Sequence, residues 1–305
     1  MTAPIVPPLD EGKTMTASTP TGPARTRAAA PARPKLNVVP VRHWGRGVFA
    51  VVVAFVLVSM IGGLATNPNI VWPIVWEFLF SPGILQGLAS TLWITVLSMV
   101  FAVILAVIIA VMRISDSTIL SGVAAGYVFI FRGVPLIVIL IFVGNLGLFF
   151  TDFALGIPFT EVQFVSVPVR DVMTPFLASV IGLSLAGSGY MAEIVRAGLL
   201  SIGTGQHEAA KALGLDGTRT LRYIVLPQAA KVLLPPMGNE LISMLKASAI
   251  VTVIGGGDLL TVALGISGVN FRTIELLIVA TIWYLLVISV LSVGQYFLEK
   301  RMAAK

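Results

Sequence analysis

Six long apolar stretches, separated by short polar connections, constrain this chain more than any other feature. A helix of about 20 apolar residues matches the hydrocarbon core of a bilayer. Inside lipid only helices and closed barrels can satisfy their own backbone. The stretches run from Val48 to Ala65, Leu85 to Met112, Ser121 to Phe150, Phe176 to Val195, Pro236 to Ile254 and Ile274 to Phe297. The second is longer than a perpendicular crossing needs, which predicts tilt or protrusion. The third is interrupted at Arg132-Gly133-Val134-Pro135. The expected fold class is an all-α integral membrane protein with six transmembrane helices. Only 11% of the 305 residues are charged, against about 25% in soluble domains.

Lysine and arginine in the connections set the expected orientation. Before the first span stand Lys13, Arg25, Arg27, Arg33, Lys35, Arg42 and Arg46, and the connection to the second span carries none. Arg113 follows the second span. Residues 151 to 175 form a more polar loop with Asp152, Glu161, Arg170 and Asp171. The connection after the fourth span carries Arg196, Lys211, Arg219, Arg222 and Lys231, the 255 to 273 connection only Arg272, and Lys300, Arg301 and Lys305 close the chain. Six spans with both termini cytoplasmic satisfy every connection. The net charge of +6 is then explained by basic residues beside the lipid bilayer, with no nucleic acid needed.

Residues 1–46 hold eight of the 18 prolines and too few apolar residues to build a core, so a disordered cytoplasmic tail is expected. Gly12-Lys13-Thr14 looks like the end of a phosphate loop, but Pro7 occupies the place of the earlier glycine and no strand precedes it. There is no cysteine, and His43 and His207 are the only histidines. That excludes disulfides, thiolate metal sites and histidine metal clusters. No metalloprotease helix or nucleophile elbow occurs. The expectation is therefore no catalytic residue, no metal and no cofactor bound by this chain.

Two kinds of polar feature remain. In the fifth span Asn239, Ser243 and Lys246 stand at i, i+4 and i+7 on one helix face, with Glu240 beside them. Such groups turn toward a cavity or a partner helix, so they are either a translocation path or a dimer contact. Glu193 and Arg196 are i,i+3 neighbours, suited to fix the next connection or to touch substrate. Arg132 precedes a break that exposes backbone groups; it and Arg113 equally suit headgroup anchoring. The other feature is the connection HEAAKALGLDGTRTLRYIVLP, His207 to Pro227. It predicts a short helix from Gln206 to Leu213, N-capped by Thr204, with Glu208 in the first turn and Gly214 as its stop. Its small apolar residues suit close approach by another protein.

Glu208-Ala209-Ala210, three residues, Gly214, nine residues and then Ile224-Val225-Leu226-Pro227 resemble the EAA loop of ABC-importer permeases. The resemblance extends over 84–298. GLASTLWITVLS, Arg132-Gly133-x-Pro135-Leu136, Tyr190-x-Ala192-Glu193-Ile194-x-Arg196, Leu226-Pro227-Gln228 and Asn239 to Lys246 are similar to the polar-amino-acid branch, the histidine, glutamine and arginine permeases. Two stretches depart from it. Ile137-Val138-Ile139 is apolar where a glutamine is usual, and Ala247-Ser248-Ala249-Ile250 stands where Thr-Ser-Leu follows the lysine.

The resemblance implies a type I (MetI-like) permease core over 84–298, with an extra N-terminal helix and outer loop at 47–83, a coupling loop at 204–227 and a basic cytoplasmic end at 299–305. It implies a bacterial cytoplasmic (inner) membrane location. It implies coupling to ABC ATPase subunits through Glu208, Ala209, Ala210 and Gly214, with ATP and magnesium bound by those subunits. The further partners implied are a second permease, identical or not, and an extracytoplasmic amino-acid-binding protein. Asn239, Glu240, Ser243 and Lys246 become candidates for the translocation path, and Arg132, Glu193 and Arg196 for gating or structure. The residues alone leave open an ion-gradient-driven transporter or channel, and a non-transporting membrane scaffold.

Overall fold

The structure, a computed structural model, describes residues 44–156 and 163–303. Most of the predicted tail, with His43, Glu161 and Lys305, lies outside these residues. The described chain divides into two units between Gly62 and Gly63. In the first lies most of α1 (Trp44–Ala65), in which no residue is buried. A helix that is apolar all round suits lipid on every side.

The second unit carries α2 (Trp72–Leu79), α3 (Pro82–Ile114), α4 (Thr118–Gly133) and α5 (Leu136–Gly144). After a 3₁₀ turn at Leu146–Leu148 come β1 (Asp152–Gly156), β2 (Gln163–Pro168) and the short α6 (Val169–Val172). Then follow α7 (Pro175–Leu200), α8 (Thr204–Ala212), α9 (Gly217–Thr220), a π turn at Leu221–Val225, α10 (Leu226–Ala247), a 3₁₀ segment at Ser248–Ile254, α11 (Leu259–Asn270) and α12 (Thr273–Ala303). Five helical segments are long and apolar enough to cross a membrane: α1, α3, α7, Gly217–Ile254 and α12. The pair α4 and α5 is bent by 101° at the predicted break; counted as one broken span it brings the number to six, and as a re-entrant loop it leaves five. Pro135 forces the break: it offers no N–H to the α4 ladder, and its ring disfavours helical geometry at Val134, which is extended (ψ 130°).

Around α7 the membrane core is organised. Fourteen of its residues are buried, many of them Ser, Ala and Gly. Without a water-driven hydrophobic force between helices in lipid, small residues let neighbouring helices approach. A Cβ on Gly187 would lie 2.5 Å from the terminal methyl of Met244 on α10, so a larger residue there would make that flexible side chain move aside. Several buried hydroxyls are satisfied within their own helix: Ser184 donates to the carbonyl of Val180, Thr95 to that of Thr91, and Thr91 to that of Gly87 at 3.0 Å.

Three regions differ from expectation. The polar loop at 151 to 175 contains an antiparallel hairpin, with Asp152 paired to Pro168 and Phe153 to Val167. The connection at 255 to 273 holds α11, whose Leu259 and Ala263 are fully buried against α2, α3 and α12 residues. The helical segment that contains the fifth span begins at Gly217, and Pro235 and Pro236 lie inside α10 where a helix start was expected.

Candidate functional site

The coupling-loop candidate is built from two helices set against each other. α8 starts one residue earlier than the predicted cap allows. Its N-cap is Gly203, whose carbonyl accepts from the Gln206 N–H at 3.0 Å, and Thr204 is its first residue. Thr204 therefore does not cap, and no acid lies in the first turn, so Glu208 falls beyond it. The end is as read. Gly214 is left-handed at φ +74°, the Gly214 N–H bonds the carbonyl of Lys211, and the Leu215 N–H bonds that of Ala210, both at 3.0 Å. This pair of bonds is a Schellman stop. A left-handed φ is one reason for glycine here, and within this chain a Cβ would meet nothing within 4 Å.

Within the predicted triad, Glu208 and Ala209 are exposed while Ala210 is only 2% exposed. Ala210 faces its own chain. The exposed surface of α8 is completed by Ala212 and by Leu213, which is 78% exposed. Asp216 caps α9 by accepting from the Arg219 N–H at 2.7 Å. The π turn follows, where the Leu226 N–H reaches back five residues to Leu221. The widened turn sits directly before Pro227, which has no N–H to continue the α ladder. Gln228 then donates to the carbonyl of Ile224 at 3.0 Å and to the Gln206 side chain at 3.3 Å. The first turn of α8 is thereby tied to α10. Between α8 and α9 lies a groove of about 540 Å³ lined by His207, Lys211, Leu215, Thr220 and Val225.

The four path candidates on α10 do not form one set. Glu240 and Ser243 line a cavity of about 120 Å³ with Leu136, Gly187, Tyr190 and Met244. Asn239 instead accepts from Gln295 of α12 at 2.8 Å, and Gln295 also donates to Glu299 at 2.9 Å. Consecutive helical residues lie 100° apart, so Asn239 and Glu240 serve different neighbours. Lys246 is exposed near the end of α10, away from this cavity. Glu193 and Arg196 pair with each other at 2.8 and 3.0 Å, both half-buried. This geometry favours the structural reading over substrate contact.

Arg132 lies at the end of α4 with its guanidinium 5.3 Å from the centre of the Tyr190 ring. Its carbonyl accepts from the Tyr190 hydroxyl at 3.4 Å. An open cavity of about 330 Å³ is lined by Val128, Phe129, Arg132, Gly133 and Tyr190. Tyr190 thus borders two cavities, one with an arginine and the other with a glutamate. Sequence reasoning left Tyr190 and Gln295 unassigned. For Tyr190 the available signal was its i,i+3 spacing from Gly187 on α7, which puts both on the Met244 side; Gln295 carried only the cost of a polar side chain inside an apolar span.

The chain thus combines a multi-pass helical core, a short Schellman-stopped helix and two mainly apolar cavities with Arg132, Tyr190 and Glu240 on their walls. Residues 102–304 match the family model described as the binding-protein-dependent transport system inner membrane component. The chain belongs to this family. It is 40% identical to the arginine transport system permease protein ArgU of Corynebacterium glutamicum, over 89% of this chain and 85% of that one. It is 37% identical to the arginine permease ArtQ of Bacillus subtilis (70% of this chain, 90% of that one) and 32% identical to the glutamine permease GlnP of Escherichia coli K12 (76% and 97%). Among solved structures, an amino acid ABC transporter crystallised with histidines aligns with a TM-score of 0.61 and 35% identity, over 72% of this chain and 94% of that one. The inward-facing MetNI methionine transporter aligns at 0.54 and 20%, over 76% and 99%, a likeness of fold. The expected type I permease architecture is confirmed, as is a multi-pass membrane location.

Proposed function

We propose that this chain is the permease subunit of an ATP-driven importer that carries a polar amino acid, with arginine the first substrate to test. The observation that carries the reading is α8: a short helix ended by a Schellman glycine, tied to α10 through Gln228 and presenting Glu208, Ala209 and Leu213 outward. That surface fits the groove of an ATPase subunit, and the tie to α10 gives motion at α8 a mechanical route to the cavity at Glu240. ATP and magnesium belong to the ATPase subunits. A second permease, identical or not, completes the path, an extracytoplasmic binding protein delivers the amino acid, and both termini face the cytoplasm.

Support for the substrate comes from relatives named for arginine transport at 40% and 37% identity. The half-buried Glu240 carboxylate on a cavity wall suits a cationic side chain. The test is purification from native membranes in mild detergent with mass spectrometry of the companions. An ATPase subunit at one per permease is expected, and a second permease in the complex would mark a heterodimer. If no ATPase is found, even by crosslinking from a cysteine at Ala212, the reading fails and an ion-gradient-driven transporter takes its place.

A further inference from the structure

The hairpin between α5 and α7 has a surface that transport by the helical core does not use. The pairing puts Phe153 opposite Val167 and places Val165 on the same face, since side chains of alternate strand residues share a side. These three are 41%, 37% and 53% exposed. The other face begins with Asp152, Ala154 and Ser166, and the 71% exposed Phe164 stands unpaired at the shift of register beyond them. Just before the hairpin, Leu148, Phe149 and Phe150 are 81%, 61% and 57% exposed. Arg170 and Asp171, at the hairpin base, are open to water and 3.6 Å apart. A charged base and a polar face thus back an apolar one.

We propose that this hairpin is a membrane-interface anchor, its Phe153–Val165–Val167 face and the preceding aromatic turn seated in the boundary between lipid headgroups and acyl chains. Three observations favour lipid over protein as the occupant. First, the apolar surface is continuous with that of the membrane helices: Phe149 stacks on the exposed Phe142 of α5, ring centres 6.0 Å apart. Second, on the approach to the hairpin the exposed apolar Ile141, Phe142, Leu148, Phe149 and Phe150 outnumber the exposed polar Asn145 and Thr151, whereas protein docking patches are rimmed by polar groups. Third, a lone two-stranded hairpin is marginal at best in water. Among the hairpin residues whose side chains are described none is buried, and the first buried side chain is Val169 beyond its base. An amphipathic element of this kind gains its stability by burying one face at a bilayer surface.

Because the chain has no cysteine, the test needs no background removal. Nitroxide labels are placed singly at V165C, F153C and S166C in the full chain, in bilayer nanodiscs of phosphatidylethanolamine and phosphatidylglycerol. Collision rates with oxygen, which partitions into lipid, and with a water-soluble nickel chelate are then compared. Labels at 165 and 153 should favour oxygen over nickel several-fold more than the label at 166. Two results overturn the proposal. One is nickel access at 165 or 153 equal to that at 166, which places the face in water. The other is exclusion of both agents, or immobilisation on adding the binding protein, which places it under protein.

Discussion

Replacing Gly214 separates two reasons for a glycine at the end of the coupling helix. If a partner backbone must approach closely, any side chain fails, and larger ones fail worse. Within this chain the reason for glycine is φ +74°, with none of its own atoms within 4 Å of an added Cβ. An L residue with a Cβ costs about 1–2 kcal/mol in that region, and asparagine less because it tolerates left-handed geometry. Since 1.4 kcal/mol is about tenfold in an equilibrium, alanine should shift the stop toward frayed forms by roughly one order of magnitude, and valine by more. The cost falls on α8, whose buried contribution is limited to Ala210, so the membrane core should melt unchanged. The expected ranking for amino acid moved per ATP hydrolysed is Gly, then Asn, then Ala, then Val. The assay is paired uptake and phosphate release in proteoliposomes, with thermal melts of each variant. Asparagine behaving as badly as valine would refute the conformational argument in favour of the steric one. Wild-type coupling with valine would refute both.

Other outcomes follow from the same geometry. Leu213→Asp should weaken association with the ATPase subunit at least tenfold, read by detergent-stable complex yield, and leave the melting of the isolated chain unaltered. Glu240→Gln should lower uptake of arginine more than that of glutamine, measured by competition in proteoliposomes; equal losses would remove Glu240 from cation recognition. Arg196→Ala breaks the half-buried pair with Glu193 and should destabilise the chain by about 1 kcal/mol or less, visible as a small fall in melting temperature with substrate preference intact.

What could be read from sequence follows the range of the forces involved. Long apolar runs report spans because each residue contributes to the same burial in lipid, so small boundary errors do not change the count. The stop at Gly214 was legible because a Schellman motif is local. The N-terminus of α8 was misread because a threonine that can cap need not do so when the preceding glycine adopts the cap geometry, φ −59° and ψ 147°. Pro235 and Pro236 imitate a helix boundary, but a long helix anchored on both sides carries them through. The hairpin was hidden because its strands are only five and six residues long and their register shifts between Leu155 and Gly156, which leaves too short an alternation to read. α11 was hidden because an apolar helix of 12 residues is too short to cross a bilayer. The division of Asn239 from Glu240 depends on Gln295, 56 positions away, and no local pattern reports such a pairing.

The account rests on ATP-driven import through this chain by way of α8. The most direct measurement is uptake of labelled arginine into proteoliposomes holding the permease, its ATPase and internal ATP, with ionophores collapsing every ion gradient. The account predicts accumulation that requires both ATP and the external binding protein. Uptake that ignores ATP but returns when an ion gradient is imposed would contradict it.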